Sequence, residues 1–468
     1  MAFPVIGGTQ VSGYNIDNSL RFNDDDTAYL NRTRSSQSNT TGTFSVWTKM
    51  GNVNVDNVLF GGATDVNNRS YIYFSDLDGF VGIFSRTSGS ADIAYNSNAK
   101  FRDPSAWYHV VVAIDTTQGT AGNRFKMYIN GTQYTDWGTA TAPSQNASLP
   151  ILNQSAQTVG GGFGASAISS MAEGYLADAY YIDGQQLAPT DFGEFNDNGV
   201  WIPKNYTGSY GTNGFKLEFK QLGTAADATS IGADTSGNDN HFSQTNVTPA
   251  LDRTVDTPTN NFCTMNPIAA DPDTTLADGN LQWTSGGDGG VVGTMAVSNG
   301  KWYWECKGVD VGADSQLGIW QTSKDTGYPL NQYVGTGESW GYVTFSGKNI
   351  HSDSQSGAIT AVSDNDIMMF ALDMDNYKLW FGINGTWTQS GNPATGDNAN
   401  HTGITDEFMT PAIASFSGTS GYDWRFNFGN PIVSISSGNS DANGYGNFEY
   451  AVPSGYYAIC TKNLAEFG

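Results

Sequence analysis

Three kinds of residue in this chain have the type and spacing to do chemistry. Paired carboxylates come first. Glu173 with Asp178, Glu194 with Asp197, and Asp373 with Asp375 lie close along the chain, as the two acids of a glycosidic hydrolysis site do when one strand carries both. Only Asp373 and Asp375 have the period-two spacing that places both on one strand face. They also fall where a hairpin turn is expected, and a turn uses Asp structurally. Histidine is scarce, with four residues. His109 sits inside an apolar strand and reads as a packed core imidazole. His241, His351 and His401 lie in loops without metal-ligand spacing. No catalytic residue is expected, and no nucleophile elbow or phosphate loop is present.

Aromatic residues in loops are the second kind. Trp137, Trp201, Tyr206, Tyr210, Tyr328, Tyr333 and Trp387 stand beside Asn, Asp or Gly. Rigid aromatic area next to hydrogen-bonding groups suits a carbohydrate or partner-binding surface. The third kind is acid. Formal net charge is −24. That sign argues against nucleic acid and anionic membranes, and suits solubility or a divalent cation at acidic loops.

These residues must be positioned by strands. The 468 residues contain 57 glycines, 13% aromatics and only 14% charged residues, the composition of strands joined by tight turns. Two or three domains are expected from the length. Apolar strands read at Phe44–Trp47, Tyr71–Phe74, Phe80–Phe84 and Trp107–Asp115, and Gly174–Gly184 reads as one more strand and a turn. Further on they read at Trp302–Cys306, Gln316–Trp320, Trp340–Phe345 and Ile367–Met374. Apolar groups alternate on both faces of Trp107–Asp115, which predicts burial on both sides. One phrase occurs twice: an apolar strand ending in Asp115 or Asp373, then a strand closing on Ile-Asn-Gly-Thr (Ile129–Thr132, Ile383–Thr386). Asn-Gly predicts a type I′ hairpin turn.

The first block resembles the laminin-G and concanavalin-like superfamily in Phe44-Ser45-Val46-Trp47, Trp107–Val112, Tyr128-Ile129-Asn130-Gly131 and Gly174–Asp178. The later Asp234–His241 resembles the Asp-x-Ser-Gly-Asn-x-Asn turn of such domains. The second block is similar to SPRY domains in Gly300–Glu305, Leu317–Ile319, Trp340–Tyr342, Ala371–Asp375, Lys378–Phe381, Pro411 and Asn427–Gly429, with a lengthened loop near Thr388–His401. The fold expected is all-β: two concanavalin-like jelly-roll sandwiches in tandem, 1–215 and 280–432. A connecting hairpin and Pro-containing linker, 216–279, joins them, and 433–468 is a tail. The first resemblance implies a rim Ca²⁺ site, with Asp24, Asp25, Asp26, Asp65 and Asp178 as candidate ligands. No other cofactor is expected.

Cys263, Cys306 and Cys460 are widely spaced and read as buried thiols. The opening residues carry no basic region or long apolar run, so no signal peptide and no membrane insertion are expected. This pairing of modules, acidic and poor in Lys, resembles structural proteins of bacteriophages. The resemblance implies a non-enzymatic virion surface protein, assembled in host cytoplasm. It would be a tail-fibre or receptor-binding component, trimeric by analogy, that contacts host surface glycan and other virion proteins. An architectural capsid-decoration or tail-scaffold subunit is the alternative, and a glycan-degrading enzyme a third.

Overall fold

The computed structural model describes residues 13–34, 39–52, 55–76, 79–153, 156–163, 168–312, 314–322, 334–335, 339–357, 360–405, 407–415 and 421–468. The chain forms two compact all-β units that divide between Thr259 and Asn260.

The first unit is a sandwich of two eight-stranded antiparallel sheets. One sheet runs Trp137–Thr141, Ser90–Ser97, Val81–Thr87, Asn68–Phe74, Asn57–Asp65, Ala156–Val159, Tyr29–Thr33, Ser243–Thr245. The other centres on Trp107–Asp115, Thr41–Met50 and Gly174–Asp183. Leu20, Phe44, Ile72, Ile83, Val112 and Leu176 fill the space between them. Each such side chain contributes roughly 1.5–3 kcal/mol by leaving water.

The two sheets differ on their outer sides. Asn68–Phe74 alternates cleanly, with Ile72 and Phe74 buried and Tyr71 and Tyr73 half-exposed. Gly174–Asp183 does not alternate, and all ten of its residues are buried. Its outer face is covered by residues from 185–215: Phe192 and Tyr206 pack on Tyr180 and Ile182, and Trp201 packs by Trp47 and Ala177. The double-sided burial read from Trp107–Asp115 has the same cause.

Residues 216–279 do not form a free linker. Phe215–Leu217 pairs with Gly174–Asp183, Ser243–Thr245 with Tyr29–Thr33, and Arg253–Thr254 with Ser19–Phe22. The Asp234–His241 turn is a clasp within this unit. Asp234 Oδ1 accepts the amides of Lys216 and Ser236. The Asn238 and Asn240 side-chain amides donate to carbonyls of the 211–214 loop. From Asn260 onward the chain belongs to the second unit.

That unit packs a seven-stranded sheet on a nine-stranded one, around Trp283, Trp304, Leu317, Phe370, Phe381 and Trp424. Residues 433–468 are part of it. Tyr457–Ala458 adds in parallel to Lys301–Asp310, and Phe448, Tyr456 and Cys460 cover Tyr303, Ala371 and Trp380 on the outer side of the nine-stranded sheet.

The repeated Asn-Gly phrase turns in both units with positive φ at both residues: 47° and 77° at Asn130-Gly131, 49° and 81° at Asn384-Gly385. It has a second role. Asn130 Oδ1 accepts the His109 amide at 2.7 Å, and Asn384 Oδ1 accepts the Ile367 amide at 2.9 Å. In each copy the turn asparagine ties its hairpin to the strand beside it.

Candidate functional site

The histidines and carboxylates nearest to catalytic form are all structurally committed. His109 Nε2 lies 2.8 Å from Ser45 Oγ, a serine–histidine pair in appearance. However, the Trp201 indole N–H points at Nδ1 at 2.9 Å. Indole only donates, so Nδ1 accepts and the proton sits on Nε2, which donates to Ser45. Such an imidazole takes no proton from that serine. Burial also pushes its pKa down to about 3. His401 donates from Nε2 to the Gly341 carbonyl at 2.9 Å, with a pKa lowered by burial to about 4. His241 Nδ1 accepts the Asp234 amide, and His351 Nδ1 meets the Ser339 carbonyl. Asp373 pairs with Lys301 at 2.9 Å and holds Asn376. Asp375 accepts the Gly300 amide. Glu173 accepts the Asp24 amide, and Glu194 approaches Lys204 at 4.0 Å on the surface.

The five expected calcium ligands do not converge. Asp25 and Asp26 are exposed in a turn that Asn246 braces through the Asp26 carbonyl. Asp24 is partly buried beside Glu173, and burial raises its pKa. Asp65 caps its own hairpin by accepting the Asn67 and Asn68 amides. Asp178 is buried, and its Oδ2 accepts the hydroxyls of Tyr14 and Tyr180 at 2.6 and 2.9 Å. Among the described residues no group of three or more His, Cys, Asp or Glu is placed to hold a metal ion.

The loop aromatics do not form one surface either. Trp201 and Tyr206 are buried, and Tyr210 packs on Tyr206; they build the cover over the Gly174–Asp183 sheet. Trp137 is half-buried, edge-on to Tyr95 and Tyr134. Trp387 packs on the Tyr303 cluster of the second unit. Tyr328 and Tyr333 lie outside the described residues.

The open aromatic surface lies instead on strands, on the outer face of the sheet that contains Asn68–Phe74. Tyr71 and Tyr73 alternate with buried Ile72 and Phe74. Phe84 stands directly across from Tyr71, and Gly82 across from Tyr73. A Cβ at Gly82 would lie 2.6 Å from the Tyr95 carbonyl oxygen and 2.8 Å from Asn96 Oδ1, so glycine at this position permits the close approach of the next strand. The rings form a ladder: Tyr71 to Phe84 is 5.5 Å, Tyr71 to Tyr73 5.1 Å, and Tyr73 to Phe80 5.8 Å. All four are half-exposed. Burial raises both tyrosine pKa values, so both hydroxyls stay protonated and can donate.

The ladder has charged ends. At one, Arg69 and Arg86 stand opposite each other, Arg86 lying 5.7 Å from the Phe84 ring centre. At the other, Asp56 Oδ1 accepts the Asp76 amide at 3.0 Å, and burial raises the Asp56 pKa. The hairpin Gly161–Phe163/Ile168–Met171 packs against Asn57–Asp65 beside the ladder. The sequence did carry a signal for this face: Tyr-Ile-Tyr-Phe followed by Phe84-Ser-Arg86 alternates aromatic or cationic residues on one side.

The first unit is a β-sandwich with a row of aromatic residues on one outer face. Residues 22–180 match the Laminin G 3 family, described as the concanavalin A-like lectin/glucanases superfamily. No curated protein matches the chain. Among solved structures, the SPRY domain of human HERC1 is 18% identical, with 35% of this chain and 96% of that one covered and a TM-score of 0.30. The TRIM65 PSpry domain is 17% identical, covering 35% and 91%, TM-score 0.27. A human SPRY domain is 13% identical, covering 35% and 98%, TM-score 0.26.

Proposed function

We propose that the chain is a non-enzymatic glycan-binding protein of a bacteriophage virion surface, a tail-fibre or receptor-binding component that holds host surface polysaccharide on the Tyr71–Tyr73–Phe80–Phe84 ladder. One observation carries the binding role. The chain covers the outer side of one sheet in each unit with its own later segments, yet leaves this row of four aromatics half open. Sugar rings present apolar C–H faces that stack on aromatic rings, and their hydroxyls suit the phenols and Asn96 nearby. The virion setting rests on the composition and the pairing of modules.

The exposed edge strand Trp137–Thr141 favours a second reading. An unpaired edge can accept a strand from another virion protein, as a decoration or scaffold subunit would need. A glycan array on the whole chain, repeated with Tyr71→Ala/Phe84→Ala, tests the first reading. Loss of glycan signal in the variant at unchanged melting temperature supports it. No signal from the native chain, with tight binding to capsid or tail proteins, replaces it with the second.

A further inference from the structure

We propose that the ladder selects neutral polysaccharides whose backbone coils, each sugar ring turned against the last, over flat ribbon polymers. The inference rests on the glycan-binding reading and names its ligand class. The ring planes carry it. Tyr71 and Phe84 are tilted by only 35°, so together they offer one broad seat. Tyr73 stands at 72° to Tyr71, and Phe80 at 76° to Tyr73. Neighbouring seats along the row therefore face different ways. A sugar is held by laying its apolar C–H face on an aromatic ring. The sugar on Tyr73 must then be turned by a large angle from the one on Tyr71. The two ring centres are 5.1 Å apart, so consecutive sugars, not distant ones, meet them.

Linkage geometry decides which chains can do this. A β-1,4-linked glucose or mannose chain keeps its rings in one plane, as a flat ribbon. Laid on Tyr71 and Phe84, such a ribbon presents its next ring at the wrong angle to Tyr73. In α-1,4- and β-1,3-linked chains each ring is rotated from its neighbour, and the chain coils. The polar groups beside the middle of the row are uncharged and suit a neutral chain. Asn96 lies across Gly82 from Tyr73, with its Oδ1 3.5 Å from the Tyr73 hydroxyl. Thr139 stands across from Asn96, and Thr141 across from Ala94. Asparagine and threonine both donate and accept, as sugar hydroxyls require.

The test uses the whole chain and six-unit oligosaccharides of one sugar that differ in linkage alone. Maltohexaose and laminarihexaose are the coiling glucose chains, and cellohexaose is the flat one. An α-1,3-linked mannohexaose is set beside the flat β-1,4-linked form in the same way. Binding is measured by calorimetry for the native chain, Tyr73→Phe, Tyr73→Ala and Phe80→Ala, with melting temperature as the check on folding. The native chain should bind at least one coiling hexamer about tenfold or more tightly than its flat isomer. Tyr73→Phe keeps the ring and should keep the preference. Tyr73→Ala should abolish it by weakening the coiling hexamer alone, and Phe80→Ala should act in the same direction. Equal affinity for the two forms, a preference for the flat form, or a preference that survives Tyr73→Ala overturns the inference and leaves the ladder reading intact. Binding to none of the hexamers also overturns it, and the glycan array then decides the ladder reading separately.

Discussion

Glu305 should prove to be the anchor of residues 433–468. Its carboxylate is buried on the outer side of the nine-stranded sheet, with four donors around it. Oε1 accepts the Tyr303 hydroxyl and the Tyr450 amide, each at 2.8 Å. Oε2 accepts the Glu449 amide at 2.9 Å and the Asn427 side-chain amide at 3.4 Å. Glu305→Ala removes every acceptor and strands two backbone amides and a buried phenol. Each stranded buried donor costs about 1–3 kcal/mol. Releasing the buried carboxylate offsets part of that, because burial is the largest influence on its pKa and pushes it up. The net expectation is a loss of roughly 2–4 kcal/mol, confined to the second unit. Glu305→Gln should also cost stability, because its amide NH₂ must face two donors. Hydrogen exchange resolves the mechanism: the amides of Glu449 and Tyr450 should lose protection before the strands do. Fluorescence should shift to the red as Trp380 loses its cover. Unchanged protection at both amides in Glu305→Ala, with unchanged urea stability, would refute the anchoring argument.

Further expectations follow from the same structure. The His109 pKa falls from 6.5 to about 3 on folding, so the unfolded chain binds its proton first on acidification. Stability of the first unit should therefore decline as pH falls from about 6.5 toward 3, and His109→Gln should flatten that decline in calorimetric scans. The raised Glu305 pKa acts in the opposite sense in the second unit: its contribution is fullest below the unfolded value and fades as pH rises through the folded one. Lys49 and Asp256 form a buried pair at 2.8 Å, so Asp256→Ala should cost about 3–5 kcal/mol in urea unfolding by leaving a buried ammonium. Asn130→Ala and Asn384→Ala should each destabilise their own unit by about 1–2 kcal/mol, since each loses a side-chain acceptor and a residue suited to positive φ.

Much of the fold was legible because strands and turns are written locally. The period-two run at Tyr71–Phe74 and the two Asn-Gly turns needed nothing beyond their neighbours in sequence. The covers were not legible. Trp201 and Tyr206 look like exposed loop aromatics, since local pattern cannot say that 185–215 folds back over Gly174–Asp183. Residues 216–279 read as a connecting hairpin and linker for a related reason: the strand partners of its first part, such as Ser19–Phe22 and Tyr29–Thr33, are more than 200 positions away. The same blindness hid the aromatic face. Tyr71 and Tyr73 read as ordinary strand residues until it is known which sheet stays uncovered.

That long-range closure also sets an order in time. The first strands of the sandwich, Ser19–Phe22 and Tyr29–Thr33, leave the ribosome early. Their outer partners Arg253–Thr254 and Ser243–Thr245 follow only when the unit is almost fully synthesised. Until then two early strands carry unpaired edges, the condition in which nascent β-chains aggregate. The piece expected to fold as one is thus the whole 10–259 unit. A fragment cut to the family-matched 22–180 would lack both closing strands, and would be expected to collect in inclusion bodies.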